Sequence, residues 1–393
     1  MTSIPNILEH FSTLKDPRRI HPNTLHKLID IIVIALCAIL ARCETWEEIA
    51  DYAQEKYHFF KLFLELPNGI PSHDTFNRTM SLIDLILWQQ YFASWMHIQS
   101  SESRELLKHI QIDGKVLRGS RSTGKGKTQS KESAVEIVSA WSSEQQLVLG
   151  HVTVEESSNE IKAVPVLLKL LDLEGAIVSL DAMGCQKETT DLIIEGGADY
   201  LVALKGNQGT LHQAAKDLFV DTQADPKRPQ PSVASSFDVG HGREEERTCY
   251  VLDDLSQFSA ADCNVESWRD LKSLIVMEST TVRQGKTSSE RRYYLSSWVG
   301  TAQEVLSRVR GHWSIENQQH YVLDVTFRED SSRTRRGFAA ENLGLLRRMA
   351  LNLLNLNVGL KISKRRKRLK ALLSEKYLLS LMGLSHLEAA LGG

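Results

Sequence analysis

Three carboxylates in this 393-residue chain stand where the local pattern could put them to chemical use: Asp113, Asp181 and Glu316. Asp113 closes an alternating run from Lys108 in which Ile110 and Ile112 share one face, the pattern of a half-buried strand. Asp181 follows Ile177-Val178-Ser179-Leu180, part of a continuous apolar run of the kind a strand buried on both faces requires. Acids at the carboxyl ends of strands in an open α/β sheet lie where ligands bind. Each aspartate alone also reads as an ordinary turn or helix-cap residue. Two on adjacent strands repel each other unless a cation joins them, and their oxygens suit hard Mg²⁺. Glu316 lies in Gly311-His312-Trp313-Ser314-Ile315-Glu316-Asn317, and His312, Glu316, His320 and Asp324 recur every fourth residue. On a regular helix they form one polar stripe drifting about 40° per step. That stripe fits a solvated face, and it also admits a zinc set, although no HExxH accompanies it.

Basic residues gather near these acids. One cluster holds Arg104, Lys108, Lys115, Arg118, Arg121, Lys125, Lys127 and Lys131. Arg308 and Arg310 precede Glu316, and Arg328, Arg333, Arg335 and Arg336 follow it. A third run, Lys361, Lys364, Arg365, Arg366, Lys367, Arg368 and Lys370, contains no acid. Charge runs are commonly solvated faces. Cations beside candidate metal-binding acids are also what phosphodiester chemistry needs.

The elements that must position these residues fall into four stretches. Residues 1–100 read as helices: Leu25 to Ala41 mostly buried, Trp46 to Lys56 opened by the capping box Thr45/Glu48, and a helical stretch from about Asp74 to Met96. They suit either a DNA-binding helix-turn-helix or a helical cap. Residues 104–221 run strand, strand, strand, helix, strand, helix, strand: Lys108–Asp113, Ala134–Trp141, Leu147–Glu155, a helix capped by Asn159 and running to about Leu171, Ala176–Asp181, Glu188–Ile194 and Tyr200–Leu204. A hairpin meander followed by βαβ units makes a mixed sheet with helices on its faces. Residues 222–300 form a β-rich insertion with short strands at Thr248–Leu252, Ser273–Met277 and Arg292–Leu295, and residues 301–393 return to helix.

Composition bounds the class. Hydrophobic residues make up 42% and charged residues 24%, which excludes disordered and low-complexity chains. Five scattered cysteines without a CxxC pair argue against a disulfide framework or zinc ribbon and for a reducing cytoplasm, with Cys37 a core residue. The most apolar run, Ile31 to Ala41, is too short for a bilayer and too far from Met1 for a signal peptide. The net charge of −2 alone speaks against nucleic acid, but the basic residues are segregated from acidic stretches such as Glu244-Glu245-Glu246.

Four motifs then carry a resemblance. They are Asp113-Gly114-Lys115 with Arg118-Gly119-Ser120, Ser179-Leu180-Asp181-Ala182-Met183-Gly184-Cys185-Gln186, Tyr200-Leu201-Val202-Ala203-Leu204-Lys205-Gly206-Asn207-Gln208, and His312-Trp313-Ser314-Ile315-Glu316-Asn317 with Leu323-Asp324-Val325 and Phe327-Arg328-Glu329-Asp330. With Asp16-Pro17-Arg18 and Ile70–Phe76, the chain resembles the H-repeat-associated insertion-sequence transposases of the DDE type over nearly its whole length. The resemblance implies an α/β, RNase H-like mixed five-stranded sheet flanked by helices, with a helical amino-terminal domain and a β-rich insertion between the second and third acids. It implies that Asp113, Asp181 and Glu316 hold two Mg²⁺ (or Mn²⁺) ions and cleave DNA ends and transfer them to a target. The implied partners are double-stranded DNA, namely terminal inverted repeats and target, and a second copy of the chain on paired ends. The implied location is the bacterial cytoplasm, on the nucleoid. Residues expected to meet DNA are Lys115, Arg118, Lys205, Arg308, Arg310, His312, His320, Arg328, Arg333, Arg335, Arg336, Lys364, Arg365, Arg366, Lys367 and Arg368. Related insertion-sequence transposases place Tyr, Arg and Lys around the third acid, where this chain has Val309, His312 and Leu323. Two alternatives stay open: a metal-dependent nuclease of the same fold without strand transfer, and a non-catalytic DNA-binding relic.

Overall fold

A computed structural model describes residues 7–392 apart from 20, 23, 101–107, 124–130, 155–158, 241 and 259–264. Arg104, Lys125, Lys127, Glu155 and Cys263 lie outside the described residues. The main sheet is centred on β1 (Lys108–Leu117) among the strands of residues 104–221. This strand pairs antiparallel with β2 (Val135–Ser142), which pairs antiparallel with β3 (Leu147–Thr153). On its other side β1 runs parallel to β4 (Ala176–Leu180), and β4 runs parallel to β5 (Asp199–Leu204). These are the five strands expected between residues 104 and 221. β1 corrects one boundary: the strand continues past Asp113, which pairs with Ser139, as far as Leu117, which pairs with Val135.

The sheet does not stop at five. β6 (Ser232–Gly240), β7 (Arg243–Leu252), β8 (Ser273–Arg283) and β9 (Lys286–Ser296) form an antiparallel meander. Its last strand docks on β5, with Tyr293 opposite Leu204 and Ser296 opposite Leu201. Among the described residues the main sheet therefore has nine strands in the order β3-β2-β1-β4-β5-β9-β8-β7-β6. The β-rich insertion is an extension of the central sheet. The backbone N–H and C=O groups on the outer edge of β5 need partners, and β9 supplies them.

Helices cover both faces. Of the amino-terminal set, α1 (Ile7–Ser12) comes first, followed by α2 (Leu28–Leu40), α3 (Trp46–Glu55) and α4 (Tyr57–Phe60). Thr45 and Glu48 make the expected capping box on α3. The stretch expected as one helix from Asp74 to Met96 is two, α5 (His73–Met80) and α6 (Leu85–Ser100). α7 (Glu160–Leu168), α8 (Lys187–Glu195) and α9 (Gly209–Ala224) pack on the face formed by Ile110, Ile112, Val138, Val178, Leu180 and Val202. Asn159 caps α7 by accepting from the Lys162 N–H, as its sequence position suggests. On the opposite face α10 (Ala302–His312) seats Val305, Leu306 and Val309 against Ile177, Leu201 and Ile275. A wide π turn (Ile315–His320) leads into the short α11 (Tyr321–Val325). The carboxyl-terminal helices are α12 (Ala339–Leu356), α13 (Lys364–Leu373) and α14 (Glu375–Leu381).

The amino-terminal helices are built into the body of the protein. α2 is apolar all round and buried along nearly its whole length, as expected of a central helix. It shares one core with residues of α3, α5, α6, α12 and α14 and with Trp141, Leu147 and Val148 of the sheet. Asn342 on α12 donates to the Met80 and Ile83 carbonyls at 2.7 and 3.0 Å. Asn352, also on α12, seals the outer edge of β3: its amide accepts from the Val148 N–H and donates to the Val148 carbonyl, each at 2.8 Å. The other sheet edge, β6, is exposed at Val233, Phe237 and Val239. Among the described residues no helix is long and apolar enough to cross a membrane. Cys37 is a fully buried core residue of α2, and the described cysteines are free.

Candidate active site

The two aspartates meet through strand register. Ile112 of β1 is level with Leu180 of β4, and the next residue of each strand is the acid. Asp113, within β1, and Asp181, just past the end of β4, therefore stand side by side on neighbouring parallel strands, where strand spacing is about 4.8 Å. Asp181 caps the turn Ala182–Gly184: its Oδ1 accepts from the Met183 N–H at 2.9 Å and the Gly184 N–H at 3.4 Å. The turn is held from behind by the next motif, since Asn207 donates to the Ala182 carbonyl at 2.5 Å and Gln208 to the Cys185 carbonyl at 3.0 Å.

The third acid arrives from the opposite face of the sheet. α10 ends at His312, and the π turn that follows winds the chain wider than an α-helix. This breaks the expected four-residue stripe. His312 turns inward to Ser179, with Nδ1 at 2.9 Å from the hydroxyl. His320 is buried with Nδ1 at 3.5 Å from Asp113. Asp324 binds Lys115 at 2.6 Å. Glu316 alone stays exposed. The zinc set is not assembled.

The electrostatics tie the three acids together. Burial pushes the Asp113 carboxyl up to about 7, and the charges of Asp181 and Glu316 push in the same direction. Burial holds His320 down to about 3, helped by the nearby Arg348 and Lys115 cations, so its contact with Asp113 is not an ion pair. Two more carboxyls stand close by. Glu160, in the first turn of α7, is raised to about 8 by burial, by its hydrogen bond with Glu136 and by the charges of Asp181 and Asp113. Gly114 makes room for it: a Cβ there would lie 1.9 Å from Glu160 Oε1. Among the described residues no three of His, Cys, Asp or Glu stand close enough to hold a metal ion as they are. The donor chemistry nevertheless fits a hard divalent cation, because three carboxylates raise each other's cost of ionisation and a cation relieves it.

A pH dependence follows. The folded protein holds the Asp113 proton up to about pH 7, whereas an unfolded chain releases it near 3.8. The folded state thus binds the extra proton between these values, and stability falls as pH rises through that window. A divalent cation held by Asp113 would displace the proton and restore the loss. Mg²⁺ is expected to raise Tm more at pH 8 than at pH 5.5, measured by differential scanning fluorimetry; an equal rise at both would contradict the arrangement.

The basic residues divide into two groups. Lys115 is buried and bonded to Asp324, Glu329 (3.5 Å) and Asp330 (3.2 Å), so it holds the protein together and is not open to a phosphate. Lys367 is buried and donates to the Leu354 and Asn357 carbonyls, and Arg368 is buried against Ile39, Thr326, Glu44 and the Phe327 ring. The expectation that these three contact DNA is corrected: the partners of Lys115 and most of those of Arg368 are remote in sequence, and those of Lys367 are backbone carbonyls across a turn, so the sequence displays only their charge. Arg308 pairs with Glu144, Arg310 with Asp238 at 2.7 Å, and Arg335 donates to the Gly119 carbonyl at 3.3 Å. Lys364 is half-buried. Arg118, Lys205, Arg328, Arg333, Arg336, Arg365 and Arg366 are exposed. Of these, Lys205 follows β5 on the same sheet end as Asp181, and Arg118 lies against the Glu329–Ser331 turn, with Nε 3.6 Å from Asp330.

Sequence reasoning missed a polar chain beneath the acids. His109 Nε2 lies 2.8 Å from Ser179 Oγ, and His109 Nδ1 lies 2.8 Å from Gln111 Nε2. The Gln111 amide reaches Ser143 Oγ at 2.9 Å, and Ser143 reaches Glu144 at 3.2 Å. A signal was present: His109, Gln111, Asp113 and Lys115 alternate with apolar or small residues along most of β1, a polar face with period two.

Comparison with known proteins shows the family. The family described as "Transposase DDE domain" matches residues 105–353, and "DDE_Tnp_1-associated" matches residues 8–96. The chain is 39% identical to "Putative transposase YncI" of Escherichia coli O157:H7 over 383 residues, 96% of this chain and 94% of that one. It is 36% identical to "H repeat-associated putative transposase YhhI" of Escherichia coli (strain K12) over 387 residues, 96% of this chain and 98% of that one. With acids paired across parallel strands, a third acid on the crossing helix and a match over most of its length, the chain belongs to the DDE-domain transposases, as the H-repeat-associated resemblance implied.

Proposed function

We propose that this transposase cuts DNA at the ends of an insertion sequence and joins those ends to target DNA, with Asp113, Asp181 and Glu316 holding two Mg²⁺ or Mn²⁺ ions. The observation that carries the reading is the register of β1 and β4, which sets Asp113 beside Asp181, together with the charge of Glu316 acting on Asp113. Asp113, Asp181 and Glu316 would hold the ions, which would lower the pKa of an attacking water or DNA 3′-hydroxyl and offset the charge on the leaving oxygen. The protein's own part is positioning. The backbone N–H groups of Met183 and Gly184 fix one oxygen of Asp181 and leave the other without a partner among the described residues. Buried His320 closes the back of Asp113. Exposed Lys205, Arg328, Arg333 and Arg336, and Arg118 beside its partner Asp330, are cations placed to meet phosphates, and Arg365 and Arg366 are candidates for a second contact region.

The strand order β3-β2-β1-β4-β5 supports an RNase H-like catalytic core in residues 104–221 and 301–393, with the helices of residues 1–100 and the strands of residues 222–300 built around it. Its partners are terminal inverted repeats, target DNA and a second copy of the chain, on the nucleoid. The test is an assay with full-length protein, Mg²⁺, labelled DNA carrying the inverted repeat that flanks the coding region, and a target plasmid. Cleaved ends joined to the plasmid are expected. Cleavage without joining would make the protein a nuclease, and binding without cleavage at any divalent concentration would make it an inactive relic.

A further inference from the structure

Each hydrogen bond in the polar chain below the acids has a fixed donor, and together they set the proton on His312. The chain starts at Glu144, whose carboxylate is paired with Arg308 and also accepts the His109 backbone N–H at 3.1 Å. A carboxylate only accepts, so the Ser143 hydroxyl spends its proton there. Ser143 Oγ is then left to accept, and Gln111 must present its NH₂ to it. The second proton of that NH₂ points at His109 Nδ1, which must be a bare acceptor. Turning the Gln111 amide over would leave a buried NH₂ without an acceptor, whereas the present orientation leaves only one carbonyl oxygen unmatched.

The rest follows from neutral imidazole having one donor and one acceptor. With Nδ1 bare, His109 carries its proton on Nε2 and gives it to Ser179 Oγ. The Ser179 hydroxyl is buried and has no other acceptor among the described residues, so it donates to His312 Nδ1. His312 must then be protonated on Nε2. That nitrogen has no partner among the described residues, and the ring lies within reach of the Asp181 charge. Burial keeps both rings neutral, His109 down to about 3 and His312 to about 4.

We infer that the chain Glu144–Ser143–Gln111–His109–Ser179, with Gln111 donating to both sides, locks His312 as the Nε2–H tautomer, a neutral hydrogen-bond donor for a non-bridging phosphate oxygen at the acidic centre. This rests on the transposase reading for its substrate, but the tautomer itself does not. A proton on Nε2 removes the lone pair that a metal or an acid–base step would need at that atom. His312 is therefore neither a metal ligand nor a general base through Nε2. Ser179, His109 and Gln111 are positioning residues, since they act through His312.

The test is a two-bond ¹H–¹⁵N correlation spectrum of full-length protein labelled with [¹⁵N]histidine, which separates the two neutral tautomers and the imidazolium. His109 and His312 are both expected as Nε2–H at pH 7. His312 found as Nδ1–H, or charged, overturns the inference, and this measurement on unaltered protein stands whether or not the protein cleaves DNA. The role is read from Ser179→Ala, which breaks the chain without touching substrate. It is expected to convert the His312 signal to a tautomer mixture and to lower kcat for end cleavage by about tenfold at unchanged KM. Ser179→Thr, which keeps the hydroxyl, should restore the signal and most of the rate. A Ser179→Ala protein with a locked His312 tautomer, or with full kcat, would show that the chain does not set the donor.

Discussion

Asp113→Asn is expected to lower end cleavage on the order of 10³-fold or more while leaving the metal-free protein as stable as before, or more so. The side chain is nearly isosteric, so packing is kept. What changes is charge. In the unsubstituted protein Asp113 is held near 7 by burial and by two neighbouring acids, so its ionised form opposes folding at neutral pH. An amide never ionises and removes that opposition. The same change removes one of the carboxylates proposed to hold a divalent cation, so the rise in Tm on adding Mg²⁺ should largely vanish. Inactive, undiminished in stability and indifferent to Mg²⁺ is a combination that misfolding does not produce. Glu316→Gln should also be inactive, with little change in stability because Glu316 is exposed. Substantial cleavage by either variant would remove that acid from the catalytic set.

Glu329→Ala should cost about 3–5 kcal/mol of stability, the range for breaking a buried ion pair from one side. Glu329 and Arg348 are both fully buried and meet at 2.8 Å, with Lys115 3.5 Å from the same carboxylate. Burial alone would raise the Glu329 carboxyl, but Arg348, Lys115 and Arg347 outweigh it and hold the group below the ordinary glutamate range. A depressed carboxylate contributes stability above its unfolded value, and that contribution is lost as pH falls through the folded value. Removing it strands Arg348 in the core and loosens the turn after Phe327 from the end of β1. Urea unfolding at pH 7 measures the loss. A cost below about 1 kcal/mol would show that water or rearrangement replaces the pair. Exchanging Glu329 and Arg348 together for apolar residues should cost less than Glu329→Ala, because no unpaired charge then remains at that pair.

The strands that carry the two aspartates were legible in the sequence because the alternating run before Asp113 and the apolar run before Asp181 are local patterns, whereas the register that sets them side by side joins Ile112 to Leu180 and is not local. The capping residues Thr45 and Asn159 were legible because they too are local: a cap and its target are three residues apart. The π turn was not. No propensity marks it, and assuming an unbroken α-helix put His312, Glu316, His320 and Asp324 on one solvated face, when three of the four point inward. β6 and the outer halves of β7, β8 and β9 went unread because much of their length is exposed and carries no burial pattern. Lys115 was mistaken for a surface cation because one of its partners, Asp330, lies 215 residues away. The same holds for Arg368, whose acceptor on Ile39 is 329 residues away.

The continuity of the sheet has a mechanical consequence. From β6 to β4 every neighbouring strand pair is hydrogen-bonded, so there is no hinge between the outermost hairpin and Asp181. Five strand spacings of about 4.8 Å make that path about 24 Å long. A module tethered by a linker would absorb a pull in the tether. Here a load applied at β6 travels through the ladder as through a plank and arrives at the strand that carries the second acid. Whatever grips the outer strands therefore has leverage on the paired aspartates.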